Sequence, residues 1–459
     1  MLTSMHAVRR HAIGVAAIVL ACTSAPPPQL PRTVPVVLAP AATAPFTKRL
    51  EFAVLEDYDV NADLGEVARD FALLRELGVR TWRGSFGWDD YEPVPGRFDF
   101  AWLTRFVALA QRDGIALRPY LGYTPAWAAI GRTGDGQVWN DPPRDPERWY
   151  AFVRTLVAAL RPYPNVRSYE IYNEVNVRLW WDGTVAEYNQ VLARGSAAVR
   201  AADPDAEVLL GGLVWPDVEW MEATCETYGN ASSIDVVPFH AYPETWTPES
   251  VTVERYLDVH YRDAFVPLVD GACGGKPIWI NETGYATTPG RGERQQADWW
   301  ARALATFAAD RRVAHVGIYE IKDLPRTSAV IGDAPNYHLG LTRVDRTPKL
   351  AFHTVRTLVR LLSADSLTVA DAELAAVVTA GTPGELHGHL FRRPDGVQVL
   401  VVWDRTGSPT LDLRLRRPGT TAVAWGLDGT ARPHASFDGR VLADVRVTAG
   451  EARIFEIRP

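Results

Sequence analysis

Ser168-Tyr-Glu-Ile-Tyr-Asn-Glu-Val-Asn176 opens as a run of aromatic and β-branched residues and closes on two polar ones, Asn173 and Glu174, before the chain turns. Such a run reads as a short buried strand. The stretch from Val185 to Ala201 that follows carries apolar residues at helical spacing, so the two together make one βα unit. Outward from this unit the same rhythm extends from Phe52 to about Leu362. Strands are expected near residues 52–54, 80–83, 116–121, 168–172, 208–212, 234–240, 278–280 and 316–319. Helices are expected over 63–77, 101–113, 145–160, 185–201, 254–269 and 294–309. Eight units in about 300 residues fit an α/β fold of the (β/α)8 TIM barrel kind. An open doubly wound sheet would normally carry a Gly-rich phosphate loop after its first strand, and this sequence has none. Residues 347–361 supply a closing helix with Pro348 in its first turn.

Beyond Ser363 the texture changes to short alternating strands broken by Gly, Pro and Asp, as in Gly396-Val-Gln-Val-Leu-Val-Val-Trp403. Residues 363–459 therefore read as a C-terminal β-sandwich behind a catalytic barrel of residues 47–362. His387-Gly-His389 lies in this part without a third ligand nearby, so the two are read as surface histidines and no metal is expected. At the other end, Arg9, Arg10 and His11 precede an apolar segment, Ala12 to Ala21, that is too short to span a membrane. Residues 1–22 read as an export signal. Val19-Leu-Ala-Cys22 resembles a bacterial lipoprotein cleavage site, which makes Cys22 a lipidation candidate and residues 23–46, rich in Pro and Ala, an extended tether. The expected location is the bacterial periplasm or cell surface, with a lipid anchor as the one membrane contact. In an exported chain Cys225 and Cys273 can form a single disulfide.

A net charge of -7, with both signs scattered along the chain, lacks the basic face a nucleic-acid partner needs. No cofactor motif is present. Sixteen Trp and sixteen Tyr point elsewhere, because flat aromatic faces stack on the apolar faces of sugars. Trp299 and Trp300, inside a helical pattern, are assigned to the core, whereas Trp127, Trp180, Trp181, Trp215 and Trp246 are candidates for stacking.

In a (β/α)8 barrel the C-terminal ends of the strands converge on one open face. Asn173 and Glu174 end the fourth strand, and His240 and Tyr242 end the sixth. Glu282, in Pro277-Ile-Trp-Ile-Asn-Glu-Thr-Gly-Tyr285, ends the seventh, and Arg83 lies in the second. Two carboxyl groups brought together at ~5 Å are the equipment of a retaining glycosidase, provided one is protonated and the other ionised. Arg83 and the Tyr242 hydroxyl are suited to hold Glu282 ionised, while Glu174, facing another carboxylate, keeps its proton as acid and then serves as base. Asn173 is placed to bond a sugar 2-hydroxyl. The expected partner is an oligo- or polysaccharide.

These residues carry a resemblance. Asn173-Glu174 after one strand, His240-Ala-Tyr242 after another and Glu282 in Asn-Glu-Thr-Gly are similar to the glycoside hydrolases of clan A, most closely family 39, the family of β-xylosidases, α-L-iduronidases and bacterial exopolysaccharide endoglycosidases. Further matches are Trp88-Asp-Asp-Tyr-Glu-Pro-Val-Pro-Gly-Arg-Phe-Asp99, Pro125-Ala-Trp-Ala128, Trp181 and Tyr188. The resemblance implies a covalent glycosyl-enzyme intermediate, with Glu174 as acid/base and Glu282 as nucleophile. It also implies substrate contacts from Arg83, Asn173, His240, Tyr242, Trp127, Trp181 and Tyr319. The sequence departs from the clan pattern in having Tyr319 where a Trp is usual, and Val175 where a Pro usually follows Asn-Glu. Two alternatives stand beside this reading: a non-catalytic carbohydrate-binding barrel, and a Schiff-base aldolase using Lys322, which alone among the four lysines lies near a strand end.

Overall fold

The computed structural model describes residues 34–38, 44–131, 137–248, 250–328 and 332–459. The expected export signal, Cys22 and most of the tether lie outside them. Among the described residues no helix is long and apolar enough to cross a membrane.

The first strands are β1 (Val34–Val36), β2 (Phe46–Leu55), β3 (Thr81–Gly87), β4 (Ala116–Tyr123) and β5 (Ser168–Asn173). They are followed by β6 (Glu207–Gly212), β7 (Val237–Ala241), β8 (Ile278–Thr283) and β9 (Val313–Tyr319). Strands β2 to β9 run parallel in sequence order, and β9 pairs back on β2, with Val54 opposite Ile318. Parallel bridges from Leu209 to Val236 and from Leu213 to Phe239 join β6 to β7 and close the barrel. Helices begin where the chemistry directs: Asp63 caps Leu64–Leu77, Asp145 caps Pro146–Leu160, and Thr184 with Glu187 forms a capping box on Val185–Ala202. Their inner faces meet the strands in a continuous core that includes Phe71, Phe106, Trp149, Phe152, Trp299 and Trp300.

Two helix expectations are corrected. The single helix expected over 254–269 is broken into Val253–Tyr256, a wide turn over Tyr261–Phe265 and Val266–Gly271. His260 sits at φ 60, which no helix tolerates, and Pro267 begins the last piece. The closing helix runs Leu350–Leu362, one residue beyond a Lys349 cap. Pro348 stays outside it because it bridges Thr342.

The C-terminal strands are β10 (Ala364–Val369), β11 (Leu374–Ala380), β12 (Leu386–Arg392), β13 (Gln398–Asp404) and β14 (Thr410–Leu415). Then come β15 (Thr421–Trp425), β16 (Ala431–Pro433), β17 (Val441–Arg446) and β18 (Arg453–Arg458). They form two sheets, ordered β1-β11-β14-β17 and β16-β15-β18-β13-β12-β10-β2. Part of the expected tether is thus an edge strand: Val34–Val36 pairs antiparallel with Ala376–Val378, and Val36 and Leu38 pack against the sandwich core. The sandwich is also continuous with the barrel. The first half of β2 pairs with β10 and its second half is barrel strand one, so a single strand serves both layers.

Barrel and sandwich share buried apolar contacts through Phe391, Val399, Val401, Trp403 and Ile454. A polar seam lies alongside. The Trp403 indole donates to Glu254 at 2.8 Å, Arg302 donates to Glu254 at 2.7 Å, and Arg302 grips Glu244 with both terminal nitrogens. Glu244 is two residues past Tyr242, so the sandwich braces the loop after β7. His389 is buried here and bonds Asp371 at 2.8 Å, while His387 stacks on Trp403, which corrects the surface assignment of the pair. Cys225 and Cys273 are joined by a disulfide that closes a separation of 48 residues around the broken helical segment.

Candidate active site

The strand ends that carry the candidate residues are held in unusual conformations. Tyr172 has φ 62 and Glu174 φ 48, the left-handed region that costs a non-glycine residue ~1–3 kcal/mol. Packing offsets this. The Tyr172 ring lies edge-on to Trp181 and against Trp149, its hydroxyl bonds Thr124 at 2.7 Å, and Tyr188 donates to the Ile171 carbonyl while accepting from Gly211 N–H. The result breaks strand alternation and turns Glu174 into the barrel mouth.

Beneath it Arg83 organises the site. Its Nε and Nη2 donate to both oxygens of Glu170 at 2.9 and 2.8 Å, Nη2 also donates to Asn173 Oδ1 at 2.8 Å, and Nη1 donates to Glu282 Oε2 at 2.9 Å. Its plane lies over the Tyr120 ring. Glu170 accepts two more bonds, from Gly212 N–H at 2.7 Å and Asn281 Nδ2 at 3.0 Å. A side chain at Gly212 would sit 2.4 Å from His240 Nε2, so only glycine lets that ring approach. The bond from Arg83 to Asn173 Oδ1 fixes the amide's orientation and leaves both of its N–H donors for a ligand. Glu170 was not singled out from sequence. Its signal was a carboxylate in mid-strand, where desolvation demands a buried cation.

Glu282 Oε1 accepts from the Tyr242 hydroxyl at 2.5 Å, and His240 bridges the two glutamates, with Nδ1 2.7 Å from Glu174 Oε1 and Nε2 3.5 Å from Glu282 Oε2. One oxygen of each glutamate and a His240 nitrogen all lie within 4.8 Å of one another. This trio could also coordinate a divalent metal ion, which would then occupy both carboxylates.

The two carboxyls have unequal surroundings. Burial pushes Glu174 up to about 8, with Arg83 opposing and the charge of Glu170 adding to the rise. Burial raises Glu282 too, with the charge of Glu174 adding to the rise, while Arg83 and the Tyr242 hydroxyl act the other way. Burial pushes His240 down to about 4, so the ring is neutral. A neutral ring beside a protonated Glu174 accepts that proton's hydrogen bond at Nδ1 and turns Nε2–H toward Glu282. Arg83 and the Tyr242 hydroxyl, which bond Glu282 and not Glu174, favour a protonated Glu174 beside an ionised Glu282.

The glutamates open into a cleft of about 990 Å³. Tyr319, at the end of β9, lines it edge-on to Tyr242, and Trp180, Trp215 and Trp246 line it as well. Trp215 and Trp246 are 47% and 41% exposed. Two expected substrate contacts are corrected. Trp127 does not reach the cleft: its indole donates to the Glu92 carbonyl and packs edge-on to Trp88. Trp181 is buried between Tyr172 and Tyr188, where it supports the Glu174 turn from behind. The aldolase alternative also falls. The Lys322 ammonium is paired with Glu56 and lies 3.1 Å from Asp70. Although burial lowers its pKa, these charges hold it above the ordinary value, the opposite of what a Schiff-base amine needs.

Comparison with known proteins bears on this geometry. A family model described as Beta-galactosidase matches residues 61–131, and one described as Cellulase (glycosyl hydrolase family 5) matches residues 132–320. No curated protein matches the chain by sequence. Among solved structures, a family 39 glycoside hydrolase from the gut symbiont Bacteroides cellulosilyticus WH2 superposes with a TM-score of 0.66 at 17% identity. That match covers 90% of this chain and 81% of the other. A GH39 β-xylosidase from Caulobacter crescentus gives 0.58 at 18% identity over 92% and 98% of the chains. A GH30 endoxylanase from Clostridium papyrosolvens C71 gives 0.61 at 13% identity over 90% and 97%. By fold, then, the chain is similar to these glycoside hydrolases: a (β/α)8 barrel with an attached β-domain.

Proposed function

We propose that the protein is a retaining glycoside hydrolase acting on an oligo- or polysaccharide, with Glu174 as acid/base and Glu282 as nucleophile. The observation that carries this reading is the placement of two differently tuned carboxyls within 4.8 Å of each other, too close for the water that an inverting enzyme holds between them. In the first step Glu282 attacks the anomeric carbon as the Glu174 proton passes to the departing oxygen, leaving the sugar bonded to Glu282. Glu174, now ionised, takes a proton from water as that water attacks the same carbon and releases Glu282. Asn173 N–H donors face the sugar hydroxyl next to the reacting carbon. Arg83 and Tyr242 hold the nucleophile oxygens in place, and Tyr319 with the cleft tryptophans supplies apolar faces for the rings. The N-terminal sequence supports an exported enzyme tethered through Cys22.

Two measurements test the reading. Glu282→Gln should lose about 10⁴-fold or more in turnover while keeping glycan binding, and NMR of the first-formed product should show the starting anomeric configuration. An inverted product, or turnover unchanged in Glu282→Gln, refutes it. Binding without turnover across a broad glycan panel would return the chain to a carbohydrate-binding role.

A further inference from the structure

The cleft is charged far beyond the needs of its two central glutamates. Along the flank formed by the ends of β2, β3 and β9 stand Glu56, Asp57, Asp59, Asp89, Asp90 and Glu320, all lining the same cleft as Glu174 and Glu282. Among the described lining residues there is no lysine or arginine. Of the cations bordering it, Arg83 is bonded to Glu170 and Glu282, and Lys322 pairs with Glu56 and Asp70. Asp57, Asp59 and Asp90 are open to the cleft, whereas Glu56 and Glu320 are each 2% exposed. Asp57 is supplied with donors, from Ser85 N–H and the Tyr120 hydroxyl. Glu320 is not: one of its oxygens is buried without a hydrogen-bond partner, and so is one oxygen of Glu56. A buried carboxyl lacking a donor is costly, and both of these residues border the cleft.

Three ligand classes can be weighed against this wall. Anionic glycans such as uronates would meet like charge along this flank. Neutral sugars satisfy acceptors with hydroxyls but leave the charge uncompensated. A protonated amine brings three donors and a positive charge together. A metal ion fits poorly: among the described residues the group of three ligating side chains close enough to hold one is Glu174, His240 and Glu282, and the wall's carboxylates are spread out rather than gathered on a point.

We propose that this wall binds the protonated amino group of a non-acylated amino sugar, so that the enzyme's substrate is a glycan carrying free 2-amino-2-deoxyhexose units. This rests on the glycosidase reading and names its substrate class. In this flank β9 lies across the barrel from β5, which carries the proton donor, and beside β8, which carries Glu282, so the wall would hold the sugar on the nucleophile's side of the bond. The titration behaviour agrees. Burial raises Glu320 well above the ordinary range, with Glu56, Asp57 and Asp323 adding and Lys322 opposing, and burial with Asp89 and Asp59 pushes Asp90 up to about 6. A bound ammonium reverses these effects, so Glu320 should release a proton on binding.

The test uses the full chain carrying Glu282→Gln, titrated calorimetrically with homo-oligomers of glucosamine and galactosamine, the same oligomers N-acetylated, and an oligogalacturonate. Free-amine oligomers should bind at least about tenfold tighter than the acetylated ones. Their heats should depend on buffer ionisation, reporting the released proton, and the preference should weaken at high salt. Asp59→Asn/Asp90→Asn, at exposed positions that the fold tolerates, should reduce the preference severalfold, and Glu320→Gln should remove the proton release. Equal or tighter binding of acetylated oligomers or of the uronate, or a preference untouched by both variants, overturns the inference. If the wild type then still cleaves a neutral glycan with retention, the glycosidase reading stands without it. Selective amine binding with no cleavage anywhere in the panel would overturn the glycosidase reading and leave the subsite.

Discussion

Replacing Glu174 by Gln should make the protein more stable, and by an amount that grows with pH. Glu174 titrates near 8 in the folded chain against an ordinary value of 4.5, because burial disfavours its charged form. Between those values the unfolded chain has released the proton and the folded chain still holds it, so folding stability falls as pH rises, by about 1.4 kcal/mol per pH unit. Across the window that is about 5 kcal/mol at most. The side chain is 13% exposed, and a Glu170 charge close by can relax, so a difference of ~2–3 kcal/mol is the working expectation. Gln cannot ionise, and its amide can donate to His240 Nδ1 as the protonated acid does, so the variant escapes the loss. Denaturant unfolding at pH 4, 5, 6, 7 and 8 measures it. Wild type and variant should be close in stability below about pH 4.5 and diverge steadily up to about pH 8, with the variant the more stable. A gap that does not change with pH, or a variant that grows weaker as pH rises, would show that Glu174 is not held protonated and would remove the basis for its role as acid.

Catalysis should show the same split from the other side. The pH profile of kcat/KM should fall on the alkaline side near pH 8 as Glu174 ionises. Tyr242→Phe, which removes a hydrogen bond that favours ionised Glu282, should move the acidic limb to higher pH and leave the alkaline limb in place; a shift of the alkaline limb alone would contradict the pairing. The aromatic residues should divide by location. Trp215→Ala should raise KM by roughly 3–10-fold with unfolding unchanged, whereas Trp181→Ala should cost about 3–5 kcal/mol of stability, and the opposite pattern would reverse the assignment of cleft and core.

The βα rhythm from Phe52 to Leu362, the two terminal glutamates and the partnership of Glu282 with Arg83 and Tyr242 were all legible in the amino-acid order. Each depends on local quantities: apolar period, strand-end position and the cost of burying a charge. What stayed hidden depends on where a face points after the chain has closed. Trp127 and Trp181 look no different from Trp215 and Trp246 in sequence, yet the first pair faces the core and the second the cleft. Glu170 reads as an oddity in mid-strand until Arg83, 87 residues earlier in the chain, arrives with a matching fork. The described end of the tether, the strand shared by barrel and sandwich, and the acidic flank at the ends of β2, β3 and β9 are likewise products of long-range pairing. Sequence by itself determined which groups must be buried and which must carry a proton. Beyond the meeting of Glu282 with Arg83 and Tyr242, only the tertiary structure decided which of them meet, because left-handed turns at Tyr172 and Glu174 break the strand alternation that sequence patterns rely on.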